Sequence, residues 1–484
     1  METEPSSPFS GTIRIILCLW FLSTSSTLSA NAAEDFRLAQ QVDHVIEATE
    51  EVVKERLSLL DQSLMEHRLD DAVRRIIAIH LRYPAKTARS LGRAVAYFPI
   101  FEAELAAAGL PQTLKYLPVI ESALHPRAMS HVGAEGLWQF MPETAPEYGL
   151  LLDDYIDERL DPHAATQGAI RYLQDAYEYL GDWSLAIAAY NAGKGRVRRA
   201  QRRSGGKNFW RVRRHLPRET RKYVPAFIAA VYLTEFFAAH EIEPNLPSFD
   251  EQLLERIVVE KPLSFYRIAQ VTELPVSLIQ RLNPSYIKGY LPAYPGGHGL
   301  ILPQRVMPAM REYLALYGDT EDEPVLPWAP IFNINEKQDH EQDYQEYETL
   351  VQHGDSLEVI AERIQFSPSQ LAIWNNLSPL DSLVEGQSIV YYRPIQYHYL
   401  PQREVTVSEQ QLPHRQAVLA SQSLVYRQLP GHIQPQLCVR VAKRQSVANL
   451  LAHYPAVDED AFLQLNNWTP KKPLPNGKLA VVPL

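Results

Sequence analysis

The chain has 484 residues, of which 46% are hydrophobic and 10% aromatic, which excludes global disorder and provides the material for a sizeable core. A chain of this length is expected to fold into roughly two to four domains. The formal net charge of −10 at pH 7 disfavours binding to nucleic acid, or to an anionic membrane, through charge alone.

The segment 1–33 has the organisation of an export signal. An apolar run at 15–22 is followed by a small polar stretch, in which Ala30-Asn31-Ala32 supplies a small-x-small cleavage pattern. The run is too short to span a bilayer, so we expect cleavage and export, with an uncleaved anchor as the alternative. We expect no later segment to cross a membrane.

The chain has two cysteines, and one of them lies inside the predicted signal. Cys18 follows a leucine, whereas a lipid-attachment cysteine needs a small residue before it, so we expect no lipid anchor. Cys438 would remain alone and could form no intramolecular disulfide. An exported protein without disulfides is typical of a bacterial envelope, and we expect the periplasm or envelope of a Gram-negative bacterium.

Residues 36–240 have the periodicity of helices. The segment 170–181 places apolar residues on one helical face and ends at Gly181. The segment 183–193 is apolar almost all round, which predicts a buried helix that ends at Gly193. The stretch 36–90 is also helical but carries more charge.

After residue 250 a single layout occurs three times. Each copy has a short β-rich run, a polar turn, two short amphipathic helices, an asparagine and a second β-rich run after glycine. The interval from the start of the first helix to the asparagine is almost constant, running from Phe265 to Asn283, from Leu357 to Asn376 and from Val447 to Asn467. The pattern predicts βααβ modules, in the second of which Ser356 caps one helix and Pro368 starts the next.

These patterns predict the following organisation: a signal peptide at 1–33, an N-terminal helical region at 34–90, a helical domain at 91–245, a first module at 250–305, a linker at 318–348, a second module at 349–393, a linker at 394–434 and a third module at 436–484. Both linkers are polar and rich in glutamine, proline or acidic residues, so we expect exposed tethers.

Glu121 is the candidate for acid–base chemistry. It follows the apolar run Leu117-Pro118-Val119-Ile120, and burial among apolar groups raises the pKa of a carboxyl so that it can donate a proton near neutral pH. Cleavage of a glycosidic bond needs such a donor, and a second carboxylate normally acts as nucleophile or activates water. Glu135 and Glu143 are the nearby acids, but the sequence does not orient them.

Four motifs around this residue closely resemble those of the family-one lytic transglycosylases. They occur in the family's order: Glu121-Ser122, Gly136-Leu137-Trp138-Gln139-Phe140-Met141-Pro142, Ala189-Tyr190-Asn191-Ala192-Gly193 and Glu219-Thr220-Arg221-Lys222-Tyr223-Val224. The resemblance implies a mainly α, goose-lysozyme-like helical domain, followed here by small α+β modules. It also implies cleavage of peptidoglycan by one catalytic residue, Glu121.

The reaction implied by the resemblance needs no second carboxylate. Glu121 would protonate the glycosidic oxygen and then deprotonate the C6 hydroxyl of the same N-acetylmuramic acid, which closes a 1,6-anhydro ring. The substrate-binding residues carried over by position are Ser130, Gln139, Tyr190, Asn191 and Tyr223. Gly133 and Gly136 would let the backbone pass close to the sugar, and Trp138 is either a core residue or a sugar platform.

The three βααβ copies resemble LysM modules, which bind chains containing N-acetylglucosamine. The second copy matches best, through Gly354-Asp355-Ser356-Leu357 and Trp374-Asn375-Asn376-Leu377. The first and third lack the Gly-Asp turn and are either sugar-binding or structural spacers. Modules on flexible tethers would raise retention on a polymer through effective concentration.

Two alternatives come from other functional classes. A true lysozyme on the same fold would use water as nucleophile and give a free reducing end, and a non-catalytic cell-wall binding protein would keep the fold alone. No cofactor or metal site is predicted, because the 15 histidines show no ligand spacing. The implied partner is a peptidoglycan glycan strand rather than nucleic acid, while oligomeric state and peripheral or anchored membrane association are left open.

Overall fold

The computed structural model describes residues 50–318, 340–378 and 381–399, with short pieces at 425–427, 436–440, 447, 462–463 and 479–482. The predicted signal and most of both linkers and of the third module lie outside the described residues. The chain divides into two compact units, the first made of Met1–Leu254, Asn283–Lys288 and His340–Ile395, and the second of Glu255–Leu282, Gly289–Asp339 and Gln396–Leu484.

Helices dominate the first unit up to residue 252. They are α1 (Glu50–Leu59), α2 (Asp71–Arg82), α3 (Ala85–Ala107), α4 (Leu117–Ser122), α5 (Pro162–Leu180), α6 (Trp183–Ala192), α7 (Lys194–Ser204), α8 (Phe209–Val212), α9 (Thr220–Glu235) and α10 (Phe249–Gln252). The prediction of a mainly helical domain is confirmed. No helix in the described ranges combines the length and apolar character that a membrane span requires.

Helix ends follow from local sequence. Asp70, Asp161 and Asp182 each accept hydrogen bonds from backbone N–H groups in the first turn of α2, α5 and α6. Helix α5 ends at Gly181, which adopts a left-handed φ of 75°. Both helices predicted at 170–181 and 183–193 are therefore present, and α6 is buried along most of its length as expected.

The second module belongs to the first unit. Its strands β5 (Tyr344–Leu350) and β6 (Ser388–Pro394) pair antiparallel, with Tyr344 opposite Pro394 and Leu350 opposite Ser388. Helices α14 (Leu357–Ile364) and α15 (Pro368–Trp374) lie between the strands in sequence. The Ser356 side chain accepts from the Val359 N–H and Pro368 occupies the first turn of α15, as the sequence predicted.

Helix α15 packs against α3 of the helical region through polar contacts. Lys115, which is 9% exposed, lies 2.6 Å from Glu102 and donates to Ser369 at 2.8 Å. Ser367 donates to the other Glu102 oxygen at 2.5 Å. Because these groups lose water where the module meets the helices, the contact depends on their mutual pairing.

The second unit contains most of the first module and the described parts of the third. The first module has β1 (Leu254–Val259), β2 (Leu263–Ser264), α11 (Phe265–Thr272), α12 (Val276–Leu282), β3 (Tyr290–Leu291) and β4 (His298–Pro303), in which β1 pairs with β4 and β2 with β3. A further helix, α13 (Met307–Gly318), follows beyond the predicted boundary at 305.

The third module is described mainly through its strands. Strand β8 (Gln436–Arg440) pairs antiparallel with β7 (Val425–Arg427) on one side and β9 (Leu479–Val482) on the other. Strand β7 lies inside the segment predicted as a linker. Its pairing with β8, in which Val425 lies opposite Cys438, makes residues 425–427 part of a sheet, although the glutamine and proline content of the segment had predicted a tether.

Candidate active site

Glu121 sits at the end of a short buried helix. The α4 residues Leu117, Val119 and Ile120 are all buried, and Ala123 ends the helix with a left-handed φ of 51°. Ser122 donates from its hydroxyl to the carbonyl of Leu137 at 2.9 Å, which joins the end of α4 to the loop that carries the Gly-Leu-Trp-Gln motif. Because the helix ends abruptly, Glu121 lies at its C-terminal end, where the residue is half-buried.

The Glu121 carboxylate accepts a hydrogen bond from the hydroxyl of Tyr223 on α9. Burial raises the pKa of Glu121 to about 7, and the hydrogen bond from Tyr223 opposes that rise. Tyr223 is 1% exposed, and burial together with the neighbouring carboxylate holds the pKa of its hydroxyl well above the ordinary value. Tyr223 therefore remains a proton donor to Glu121 at every physiological pH.

Tyr190 lies beside the same carboxyl. Its pKa is raised by burial first and by the Glu121 charge second. Its hydroxyl donates to the carbonyl of Trp138 at 2.8 Å. Trp138 itself is fully buried, donates to Thr166 at 2.9 Å and meets the Phe101 ring at 5.4 Å, so it is a core residue and not a sugar platform.

Ser130 and Gln139 brace the loop between α4 and α5. The Ser130 hydroxyl accepts from the Ala134 N–H at 2.8 Å, and the residue is only 5% exposed. The Gln139 amide donates to the carbonyl of Ala128 at 3.0 Å and to that of Gly136 at 2.9 Å. Both side chains thus fix the conformation of this loop.

Gly136 serves a different purpose from the one the sequence suggested. It has a φ of 83°, and a Cβ atom there would come within 1.9 Å of the carbonyl oxygen of Arg159. The close approach is therefore to the protein's own backbone rather than to a sugar. At Gly133, with φ of 84°, a Cβ atom would meet nothing within 4 Å.

Asn191 lies in the last turn of α6. It is 4% exposed, and its side-chain oxygen accepts a hydrogen bond from Thr220 at 2.8 Å. Thr220 starts α9, the helix that carries Tyr223. This contact fixes the start of α9 against the end of α6, so the two helices that contribute tyrosines to the site hold a set position.

Arg159 was missed by the sequence reasoning and organises the same loop. Its guanidinium pairs with Asp157 at 2.6 Å and Glu135 at 3.3 Å, and it donates to the carbonyl of Gly133 at 2.9 Å. Glu135 is thus neutralised by a buried cation, while Glu143 is exposed. No local sequence pattern marks Arg159, because its partners come from two separate loop segments.

The structure brings Glu121, Tyr223 and Tyr190 together at one point, and it places Ser130, Gln139 and Asn191 in the surrounding walls. In the parts of the chain that are described, no group of three or more His, Cys, Asp or Glu side chains could hold a metal ion. The arrangement provides one desolvated carboxyl that titrates near neutral pH, and a phenol that orients it.

Family models match three segments of the chain. Residues 98–212 match the transglycosylase SLT domain, 253–318 match the LysM-like domain of lytic transglycosylase MltD, and 350–390 match the LysM domain. The resemblance drawn from the four motifs is thus confirmed by an SLT domain match at 98–212, and the resemblance to LysM modules is confirmed for the first and second copies. The match to 318 includes α13 and runs past the boundary at 305 that the sequence suggested.

The chain is also similar to curated proteins that are named as lytic murein transglycosylases. The membrane-bound lytic murein transglycosylase D of Escherichia coli (strain K12) is 31% identical over 286 residues, which are 58% of this chain and 60% of that protein. The soluble lytic murein transglycosylase of Salmonella typhimurium is 42% identical over 83 residues, 16% of this chain and 13% of that protein. The matched segment thus spans 60% of the length of the first relative.

Among solved structures, the 70 kDa soluble lytic transglycosylase of Escherichia coli is similar at 28% identity. The likeness covers 34% of this chain and 30% of that chain, with a TM-score of 0.28.

Proposed function

We propose that the chain is an exported peptidoglycan lytic transglycosylase of the bacterial cell envelope. It would cleave the β-1,4 bond between N-acetylmuramic acid and N-acetylglucosamine and leave a 1,6-anhydro-N-acetylmuramic acid end. The observation that carries the proposal is the Glu121 carboxyl, whose pKa of about 7 lets one group act as acid and then as base.

In the first step, Glu121 gives its proton to the glycosidic oxygen, and the N-acetylglucosamine side leaves with a free 4-hydroxyl. In the second step, the Glu121 carboxylate takes the proton of the C6 hydroxyl, whose oxygen attacks C1 and closes the anhydro ring. The carboxyl is thereby protonated again and ready for the next bond. The attacking hydroxyl belongs to the same sugar, so its effective concentration is high and no bound water is needed.

The other predicted residues have assigned parts in this proposal. Tyr223 orients the Glu121 carboxyl, Tyr190 lies beside it, and Asn191 acts by fixing α6 against α9. Ser130 and Gln139 act through the loop that they brace. The ion pair between Glu135 and Arg159 supports the transglycosylase over the lysozyme alternative, because Glu135, one of the two acids that the sequence offered as a second carboxylate, is already engaged by a cation.

We propose that the LysM-type modules retain the enzyme on glycan strands and that the segment 1–33 directs export. The modules' family matches support the first part, and the apolar run with its cleavage pattern supports the second. The Ser367–Glu102–Lys115 contacts argue that the second module acts from a fixed position beside the helical domain.

The test is mass spectrometry of purified sacculi digested with the full chain and with its Glu121→Gln variant. We expect products that end in 1,6-anhydro-N-acetylmuramic acid with the former and none with the latter. Products with a free reducing end would establish a lysozyme instead. Sacculi bound by both proteins, with no product from either, would leave only a binding protein.

A further inference from the structure

A cavity lies next to the helix that carries Glu121. It has a volume of about 110 Å³ and lies between α2, α3, α4 and α9. Val119 and Ser122 of α4 form part of its wall, whereas none of the predicted site residues, Glu121 included, lines it. The cavity is therefore separate from the groups assigned to bond cleavage but shares two of their supporting helices.

The polar wall of this cavity is cationic. Lys86, Arg89 and Arg93 line it from positions i, i+3 and i+7 of α3, a spacing that aligns them on one face of the helix. His125 joins them from the end of α4, and no carboxylate is among the lining residues. Lys86, Arg89 and His125 are exposed and mark the mouth, while Arg93 is half-buried and lies deeper.

The side chain of Arg93 carries its charge into the half-buried part of this wall. Its guanidinium donates to the Ala123 carbonyl at 3.0 Å, and within the described ranges no carboxylate pairs with it. Burial, with Arg89 contributing, lowers the pKa of Arg93 below its ordinary value. A partly desolvated cation beside like charges is unfavourable unless an anion compensates it, so the cavity favours an anionic ligand.

The start of α3 adds to the same preference. The helix begins at Ala85, and the preceding residue, Pro84, supplies no side-chain cap to its first N–H groups. Lys86 and Thr87 of this first turn both line the cavity. Uncapped N–H groups and the helix dipole favour a negative group at this end, in addition to the three cations.

The opposite wall is apolar and small. Ile76, Ala226, Ala230 and Leu233 line it together with Val119. The volume of about 110 Å³ is well below the roughly 300 Å³ at which pockets for whole small molecules begin. The cavity therefore suits one residue-sized group that joins a carboxylate to a methyl group, and it is too small for a disaccharide.

We propose that this cavity binds the carboxylate end of a peptidoglycan stem peptide, such as an acyl-D-alanine. The carboxylate lies on Lys86, Arg89 and Arg93, and the alanine methyl group lies against Ala226 and Ala230. The proposal rests on the proposed function and deepens it, because it makes peptide-substituted strands the preferred substrate. A stem held beside α4 positions its own N-acetylmuramic acid relative to Glu121.

Binding is tested first without turnover. Calorimetry with the full chain measures N-acetyl-D-alanyl-D-alanine, its C-terminal amide and inorganic phosphate. We expect the acid to bind at least about tenfold more tightly than the amide, since a charge-assisted hydrogen bond contributes about that factor. Equal binding of acid and amide, no binding of the acid, or phosphate binding as tight as the peptide would overturn the proposal.

Three variants locate the binding site. The pair Lys86→Gln with Arg89→Gln removes two exposed charges, and we expect at least about tenfold weaker binding of the acid. Ala230→Leu fills the apolar wall without changing charge and should abolish binding. Arg75→Gln, on the exposed surface of α2 and outside the cavity, is the control with unchanged affinity. If the control weakens binding as much as the pair, or if the pair has no effect, the cavity is not the site.

Digestion assays test whether the cavity also acts on stem peptides that are attached to glycan strands. The Lys86→Gln, Arg89→Gln pair should lower kcat/KM on intact sacculi several-fold and leave the rate on peptide-free glycan strands unchanged. If the cavity binds the peptide but the variant pair digests sacculi at the wild-type rate, the proposed role of the cavity in substrate choice is overturned. Failure of the proposed function has a different signature, because sacculi would then yield no anhydro product while calorimetry still reported the peptide.

Discussion

Tyr223 donates a hydrogen bond to the Glu121 carboxylate across 102 positions of the chain. The contact brings the end of α4 against the start of α9 and sets two effects against each other. Burial raises the pKa of Glu121, which favours the acid form, while the phenol stabilises the carboxylate. The result is a carboxyl that can be protonated or ionised near neutral pH, as a group with two successive roles requires.

The pH profile of the wild-type enzyme should follow this carboxyl. Glu121 must begin each cycle protonated, and its pKa is about 7. We therefore expect kcat/KM on sacculi to fall above about pH 7, approaching tenfold per pH unit. A profile measured from pH 5 to 9 checks this, and a flat rate up to pH 9 would contradict the assignment of Glu121 as acid.

Tyr223→Phe should move the fall in kcat/KM, the alkaline limb of the pH profile, to higher pH. The substitution removes the hydrogen bond that lowers the pKa of Glu121, while burial continues to raise it. We also expect kcat to fall about tenfold or more, because the carboxyl loses the group that orients it. A merely structural tyrosine would lower stability without moving the limb. Tyr177→Phe, on the exposed surface of α5, is the matched control.

Arg159→Met should destabilise the loop that carries Gln139. Arg159 is 6% exposed, and its loss leaves Asp157 and Glu135 without their cation. Breaking such a buried pair costs about 3–5 kcal/mol of unfolding free energy. Chemical denaturation measures it, with Arg75→Met as an exposed control expected within about 0.5 kcal/mol of wild type. Adding Asp157→Asn should recover part of the loss, since it removes one uncompensated charge.

Glu235→Gln should alter the pH dependence of stability. Burial raises the pKa of Glu235 to about 7, with Lys115 opposing, whereas its ordinary value is 4.5. The folded state therefore keeps a proton that the unfolded state loses, so the wild type loses stability as pH rises from 4.5 towards 7. Above that range the loss is complete and constant. The Glu235→Gln variant has no titrating group at this position and does not lose this stability. The free energy of unfolding of the variant relative to wild type should therefore increase across this window by up to about 3 kcal/mol.

Thermal and denaturant unfolding at pH 4.5, 6 and 8 measure that advantage. Glu243→Gln, an exposed acid after α9, provides the control, with a difference from wild type that does not change with pH. A Glu235→Gln difference that stayed constant across the same range would show that burial does not raise the pKa of Glu235 above its ordinary value in the unfolded chain.

The sequence predicted the helices of the SLT domain because their signals are local. The apolar face of α5, the glycine after it and the aspartates before α5 and α6 all lie within a few residues of the ends that they specify. Glu121 was found in the same way, through an apolar run and four motifs in order. The burial of Trp138 and the packing of Gly136 on Arg159 were not accessible, because each depends on a partner far away in the chain.

The amino-acid sequence was enough to locate the helical segments, the repeated modules and the carboxyl that could serve as an acid. The folded chain was needed to show that Tyr190 lies beside Glu121, that Arg159 neutralises Glu135 and that the start of α15 contacts α3. The two sets of features differ in the separation along the chain over which their causes act. Helix propensity and capping act over a few residues, whereas desolvation and charge pairing act between groups that only the folded chain brings together.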